Sequence, residues 1–422
     1  MALPPDPQPL LQASRKRMRR IIVASIAVIL AGIALRLAMT GAIQRWQASR
    51  MPNAALRQAA ARPHAPFAVV YELARRLERS GDFPPAAKAY QRAAAINPVA
   101  SEAWTGWARC EFARGNWAVS ERVLRKTIEL WPHKTEAHFI LAAILDETFR
   151  REAAKDELMA GLAINPSRRE AWLALGRLEM LLGHPDAAVR AFSRAQSMDP
   201  RSSALHGPFG AALLAAGRVA EARKELEAAL RADPSDLEAR LQLARALLTT
   251  RQGPDRVRGM QELTRVAEFA ANKAPAYIEA ARVWLSEGNR GDAGQALEHA
   301  VDANPYSVEA LTMLRDFYQQ SGRNAEARAI GQRLAPLAKW SAEREIVLRA
   351  IEKGEDVPGN LLRLGDLDIS LGNPSEGRKA FVAALSMDPG NQRAIARLKQ
   401  QTATTATAPQ VTKNKAPAAK QP

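Results

Sequence analysis

A proline at a fixed interval constrains this chain more than any other feature. Pro98 is followed by Pro132, Pro166, Pro200 and Pro234, with the same separation at every step. Proline removes a backbone donor and drives the residue before it away from the helical region, so a helix stops at each one. The contexts are INPVASEAW, LWPHKTEAHF, INPSRREAWL, MDPRSSALHG and ADPSDLEARL: a polar side chain shortly after the break, then a fresh helix. Internal periodicity in this range belongs to stacked repeat arrays, where each repeat buries its apolar face against its neighbours.

A second break falls midway in each repeat, as in RSGDFPPA, RGNWAVS, LLGHPDA and AAGRVAE. Gly81, Gly115, Gly183 and Gly217 stand where a helix needs a left-handed terminal residue. Each repeat is therefore a helical hairpin. With the proline numbered as position 32, small or apolar residues recur at 4, 7, 8 and 11 of the first helix, for example Trp104, Trp107 and Ala108 with Phe112 slipped by one, or Trp172, Leu175 and Gly176. The second helix repeats them at 20, 24 and 27, as Ala86, Tyr90 and Ala93, or Ala188, Phe192 and Ala195. At helical spacing each set forms one packed stripe. Only 5% of residues are aromatic while alanine is abundant, which suits closely approaching helices.

These residues resemble the tetratricopeptide repeat family: a unit of about 34 residues, with Trp or Leu at 4, Gly or Ala at 8, Gly at 15, Ala at 20, an aromatic or Leu at 24, Ala at 27 and Pro at 32. The resemblance covers residues 67–341 and then 358–391. It implies an all-α fold, a right-handed superhelical solenoid of helical hairpins whose first helices line a concave groove and hold protein or peptide partners. Three departures stand out. Phe149 occupies position 15, where the family has glycine. The step from Pro234 to Pro305 slightly exceeds two units, and TTRQGPDRVRG (Thr249 to Gly259) lengthens one inter-helix turn. The step from Pro305 to Pro389 exceeds two units by much more, and SAEREIVLRAIEKG reads as an additional helix at residues 341–354. A helix at 391–400 is expected to cap the last apolar face, closing an array of about nine repeats over residues 67–400.

The net charge of +16 is confined to the ends: +9 in residues 1–66, +6 in residues 392–422, and +1 in the body between them. A neutral body argues against nucleic acid as a partner. At the amino terminus, RKRMRR (residues 15–20) leads into Ile21 to Met39, an apolar run with Arg36 as its one charge. About 20 apolar helical residues match a hydrocarbon core of roughly 30 Å. Residues 21–40 are expected to span a membrane once, Arg36 reaching the interface along its own stem and Trp46 in the interfacial belt. Five basic residues before the span place residues 1–20 in the cytoplasm and the body outside it, at an inner cell membrane with a periplasmic array. Two other readings remain: a cleaved signal peptide ending near Thr40 to Ala42, and a body facing the cytosol. Residues 41–66 read as a linker. Residues 401–422 lack large apolar groups and read as a disordered tail.

No catalytic or phosphate-binding motif stands at diagnostic spacing, the six histidines are scattered, and Cys110 is the single cysteine. Neither metal nor cofactor is expected, nor is enzymatic activity. Opposite the packed stripe, position 9 reads Arg75, Arg109, Ala143, Arg177, Ala211, Arg245 and Arg282. Stacked, Arg75, Arg109, Arg177, Arg245 and Arg282 would form a guanidinium column suited to carboxylates or phosphates. The competing reading is a solvated face, on which the arginines pair with glutamates such as Glu102, Glu136, Glu170, Glu238 and Glu309 at position 2. The family's two-carboxylate clamp, with Lys and Asn at positions 5 and 9, is not matched. The function expected is a membrane-anchored scaffold binding a protein or peptide, with an acidic segment as one form of it, during assembly, secretion, polysaccharide export or cytochrome maturation. The alternative is a cytosol-facing membrane adaptor that regulates an enzyme.

Overall fold

The computed structural model describes residues 41–200, 202–249 and 253–407, with side chains as far as Gln401. The expected span at 21–40, the basic stretch before it and the end of the tail lie outside the described residues. Among the described residues, no helix is long and apolar enough to cross a membrane. Every regular element there is an α-helix, apart from one 3-10 turn at Ser203–Leu205. The chain divides into two compact units, Met1–Arg114 and Gly115–Pro422.

In the amino-terminal unit, residues 41–50 are helical and are followed by helices Asn53–Ala61, Phe67–Arg79, Phe83–Ile96 and Ser101–Ala113. The stretch read as a linker is thus helical and docked. Leu56 and Ala60 are buried, and Ala60 shares a core with Val70, Ala93 and Ala103. Two arginines hold helix ends whose carbonyls lack intrahelical partners. Arg76 donates to Met51 O and Ser49 O at 2.8 Å each and to Asn53 Oδ1 at 2.7 Å, while Arg92 donates to the carbonyls of Ala60 and Arg62.

In the carboxy-terminal unit, Trp117–Leu130 is followed by successive hairpins: Thr135–Glu147 with Arg151–Ile164, Arg169–Leu181 with Pro185–Met198, and His206–Ala215 with Val219–Ala232. Leu237–Thr249 with Gly253–Phe269, Ala274–Ser286 with Arg290–Ala303, Val308–Gln320 with Asn324–Glu352, and Val357–Ser370 with Pro374–Met387 continue the series. Glycines at the inter-helix turns take φ between 73° and 79°, the left-handed region expected of them. At position 4, chemically different side chains do one job. Trp104 Nε1 in the amino-terminal unit, and Trp172 Nε1 and Arg240 Nη2 in the other, each donate to the carbonyl of the preceding repeat-ending proline. His138 Nε2 lies 2.9 Å from Pro132 O. Glycine at position 8 allows close approach: a Cβ on Gly176 would lie 2.5 Å from Cε1 of the buried Phe192.

The additional helix expected at 341–354 is not separate. Asn324–Glu352 is one helix of 29 residues with Pro336 inside it. Its first half buries Ile330, Leu334 and Leu337 in one core, its second half buries Val347 and Ile351 in the next, and Trp340 packs against both. Serving two cores keeps it continuous past the proline. The last helix runs over Gln392–Thr407, beyond residue 400 and into the stretch read as tail.

The second core also receives residues from the other end of the same unit. Phe149 joins Val347, Ile351, Val357, Leu361, Leu364 and Ala380, and Trp117 packs against them. Phe149 adopts φ 61° and closes its turn with the same hydrogen bonds as the glycines, its own N–H donating to Asp146 O and that of Arg150 to Leu145 O.

Candidate functional site

Each position-9 arginine stands on a first helix: Arg75 on Phe67–Arg79, Arg109 on Ser101–Ala113, Arg177 on Arg169–Leu181, Arg245 on Leu237–Thr249 and Arg282 on Ala274–Ser286. None of them enters a core. They fall into two sets, one per compact unit.

In the amino-terminal unit Arg75 Nη1 donates to Glu72 Oε2 at 3.2 Å. Arg109 grips Glu78 with two prongs, Nη2 donating to Oε2 at 2.9 Å and Nε donating to Oε1. Tyr90 Oη donates to the same carboxylate at 2.6 Å. Burial pushes the Glu78 carboxyl upward, but the hydrogen bonds from Arg109 and Tyr90 and the charges of Arg109 and Arg75 outweigh it and hold the group below its usual value.

In the carboxy-terminal unit one carboxylate ties consecutive repeats together. Glu279, 12% exposed, accepts from Arg245 Nε at 2.9 Å and from Arg282 Nη1 at 3.1 Å. Arg282 also donates to Glu309. Beside them Arg256, on the helix after the lengthened turn, donates to Glu287 Oε2 at 2.6 Å. Arg245, Arg256 and Arg282 line an open cavity of about 940 Å³ whose apolar lining is Leu214, Leu248 and Val283. Arg177 lies elsewhere, beside a small space of about 90 Å³ with Leu173, Phe192 and Leu205. It is exposed and makes no ion pair among the described residues.

The structure therefore brings Arg245 and Arg282 together, sets Arg75 and Arg109 within reach of Glu78, and leaves Arg177 apart from the cavity. Sequence reasoning missed Arg256, hidden in the long turn, and the carboxylates Glu72, Glu78 and Glu279. Glu72 and Glu279 both occupy position 6, one turn ahead of the arginine, and that spacing was the available signal. No group of three or more His, Cys, Asp or Glu among the described residues is placed to hold a metal. Cys110 is fully buried, and burial pushes its thiol up to about 12, so it is protonated at neutral pH.

Two family models, both described as tetratricopeptide repeat, match residues 71–134 and 147–203, and residues 213–255. These segments are tetratricopeptide repeats. Such an array is a scaffold suited to protein or peptide binding. No curated protein matches the chain in sequence. Several solved structures are similar to it. One MamA crystal structure is 24% identical, covering 39% of this chain and 90% of its own, with a TM-score of 0.37. PilF of Pseudomonas aeruginosa is 20% identical over 51% of this chain and 97% of its own, with a TM-score of 0.39. A tetratricopeptide repeat protein of Parabacteroides merdae is 14% identical over 60% and 98%, with a TM-score of 0.40. On the first helices, Arg75, Arg109, Arg245 and Arg282 each meet a carboxylate, while Arg177 makes no ion pair among the described residues.

Proposed function

We propose that this protein is a non-enzymatic, membrane-anchored tetratricopeptide scaffold whose array lies outside the cytoplasm and holds an acidic segment of a protein partner in an envelope process. Assembly, secretion, polysaccharide export and cytochrome maturation are the processes such a build serves. The observation that carries the binding reading is the cavity at Arg245, Arg256 and Arg282: three guanidinium groups, paired with Glu279 and Glu287 of the same lining, stand beside Leu214, Leu248 and Val283, which suits a peptide whose acidic side chains compete for those guanidinium groups and whose apolar ones enter the lining. The anchor rests on Ile21 to Met39 and the basic residues before it.

The orientation is tested with reporter fusions at residue 60. An alkaline phosphatase fusion should be active and a cytosolic reporter silent, whereas the reverse would replace this reading by the cytosol-facing adaptor. For binding, Arg256→Ala with Arg282→Ala leaves Arg245 to satisfy the half-buried Glu279. The double variant should capture less of a partner from membrane extract and unfold at nearly the same temperature, and capture by the parent should weaken steeply with salt, since the Debye length of about 8 Å shortens as salt rises. Undiminished capture by the variant would remove the cavity from the reading.

A further inference from the structure

The helix over residues 41–50 turns its large apolar side chains outward. Ala48 is 1% exposed, whereas Ile43 and Trp46 are 51% and 55% exposed. At about 3.6 residues per turn Ile43, Trp46 and Arg50 fall on one face, and Ala48 falls on the opposite one. A helix that docks by an alanine and leaves an isoleucine and a tryptophan outside gains little from burial within this chain. Single exposed apolar residues are common, but these two share their face with a cation: Arg50 Cζ lies 4.3 Å from the centroid of the Trp46 ring.

The stretch is basic as well. Residues 41–66 hold Arg45, Arg50, Arg57 and Arg62 and no acid, and all four arginines are exposed. In the sequence it comes directly after Ile21 to Met39: Ile43 follows Met39 by four residues, which reach about 14 Å even when fully extended. Tryptophan and arginine both suit the layer between hydrocarbon and water. The indole is apolar with one polar edge, and the arginine stem lies along apolar surface while its head stays hydrated. The helix is also tied to the first repeat, since Arg76 on Phe67–Arg79 donates to Ser49 O and Met51 O at 2.8 Å each. Whatever holds the outward face therefore sets the attitude of the amino-terminal unit.

We propose that the face of Ile43, Trp46 and Arg50 rests on the headgroup layer of a membrane containing anionic phospholipid, and so fixes how the amino-terminal unit stands on that membrane. Four arginines without an acid are drawn to the negative surface potential of such a layer, and a zwitterionic surface offers none. The contact rests on the anchor proposed above, which brings Ile43 to the bilayer, and not on which side of it the array lies.

The test reads the depth of a spin label on the full chain in nanodiscs, made either with phosphatidylglycerol or of phosphatidylcholine alone. With Cys110→Ala as background, Gln47→Cys puts the label on an exposed position beside the face. In phosphatidylglycerol discs the label should be more accessible to dissolved oxygen than to a water-soluble nickel complex. Ile43→Ser with Trp46→Ser should reverse that order and leave the unfolding temperature unchanged, since neither side chain is buried. Arg45→Gln with Arg50→Gln should abolish the difference between the two lipids. A parent label open to nickel, an equal depth in both lipids, or a depth that neither pair of substitutions alters overturns the proposal. A label shielded from both reagents places protein on the face and overturns it too. Alkaline carbonate extraction separates these results from the anchor: a chain released from the membrane removes the anchor and the contact together, whereas a retained chain with its label in water removes the contact alone.

Discussion

Replacing Phe149 by glycine sets two energies of opposite sign against each other. At φ 61° a residue with a Cβ is strained by roughly 1–2 kcal/mol, which glycine relieves. Against this, removing a phenyl ring that is 7% exposed in a core of Val347, Ile351 and Leu361 costs about 3–5 kcal/mol by analogy with large-to-small core substitutions. The difference is a destabilisation of about 2 kcal/mol in the carboxy-terminal unit. Long arrays need not unfold in one step, so the assay should be local. Native-state hydrogen exchange read at Ala153 and along Val347–Ile351 should show protection falling by about 2 kcal/mol, a factor of about 30, while the amides of Arg282–Leu285 change little. The refuting result is the opposite sign: if Phe149→Gly raises protection by about 1 kcal/mol, the residue only holds a turn and the distant core owes it nothing.

Two further outcomes follow from the same packing. Gly176→Ala gains helix propensity of about 1 kcal/mol but drives a Cβ to within 2.5 Å of the buried Phe192 ring, and overpacking of that kind costs about 1–3 kcal/mol, so the unfolding temperature should fall and a rise would refute the close-approach account. Asp368 is pushed above its usual value by burial, more than the hydrogen bond and charge of Arg344 and the charge of Arg151 lower it, and Glu376 adds to the rise. A raised folded value means that its contribution is fully present on the acid side and is lost as pH rises through that value. Asp368→Asn keeps the Oδ1 acceptor for Arg344 and should flatten the decline in stability from acid to neutral pH, seen by denaturant titration at several pH values; an unchanged pH slope would refute it.

What the sequence determined by itself is local. Pro98, Pro132 and Pro166 end helices by removing a donor, Gly183 and Gly217 turn the chain because they alone accept positive φ cheaply, and the constant spacing of these marks is enough to specify hairpins stacked in series. Tertiary structure decided whatever depends on groups far apart in the chain. The 41–66 stretch is helical because Arg76 and Arg92 take up its carbonyls and a core accepts Leu56 and Ala60, and residues 341–352 continue an existing helix because two cores lie along it. The arginine face was legible as a face, since position 9 points away from the packed stripe. The pairs that cross repeats, Arg109 with Glu78 and Arg245 with Glu279, were not, because those groups meet only once neighbouring repeats are stacked. Phe149 was visible as the wrong residue for its turn, yet its reason lies far along the chain, at Val347 and Glu352, where no local rule of propensity or spacing extends.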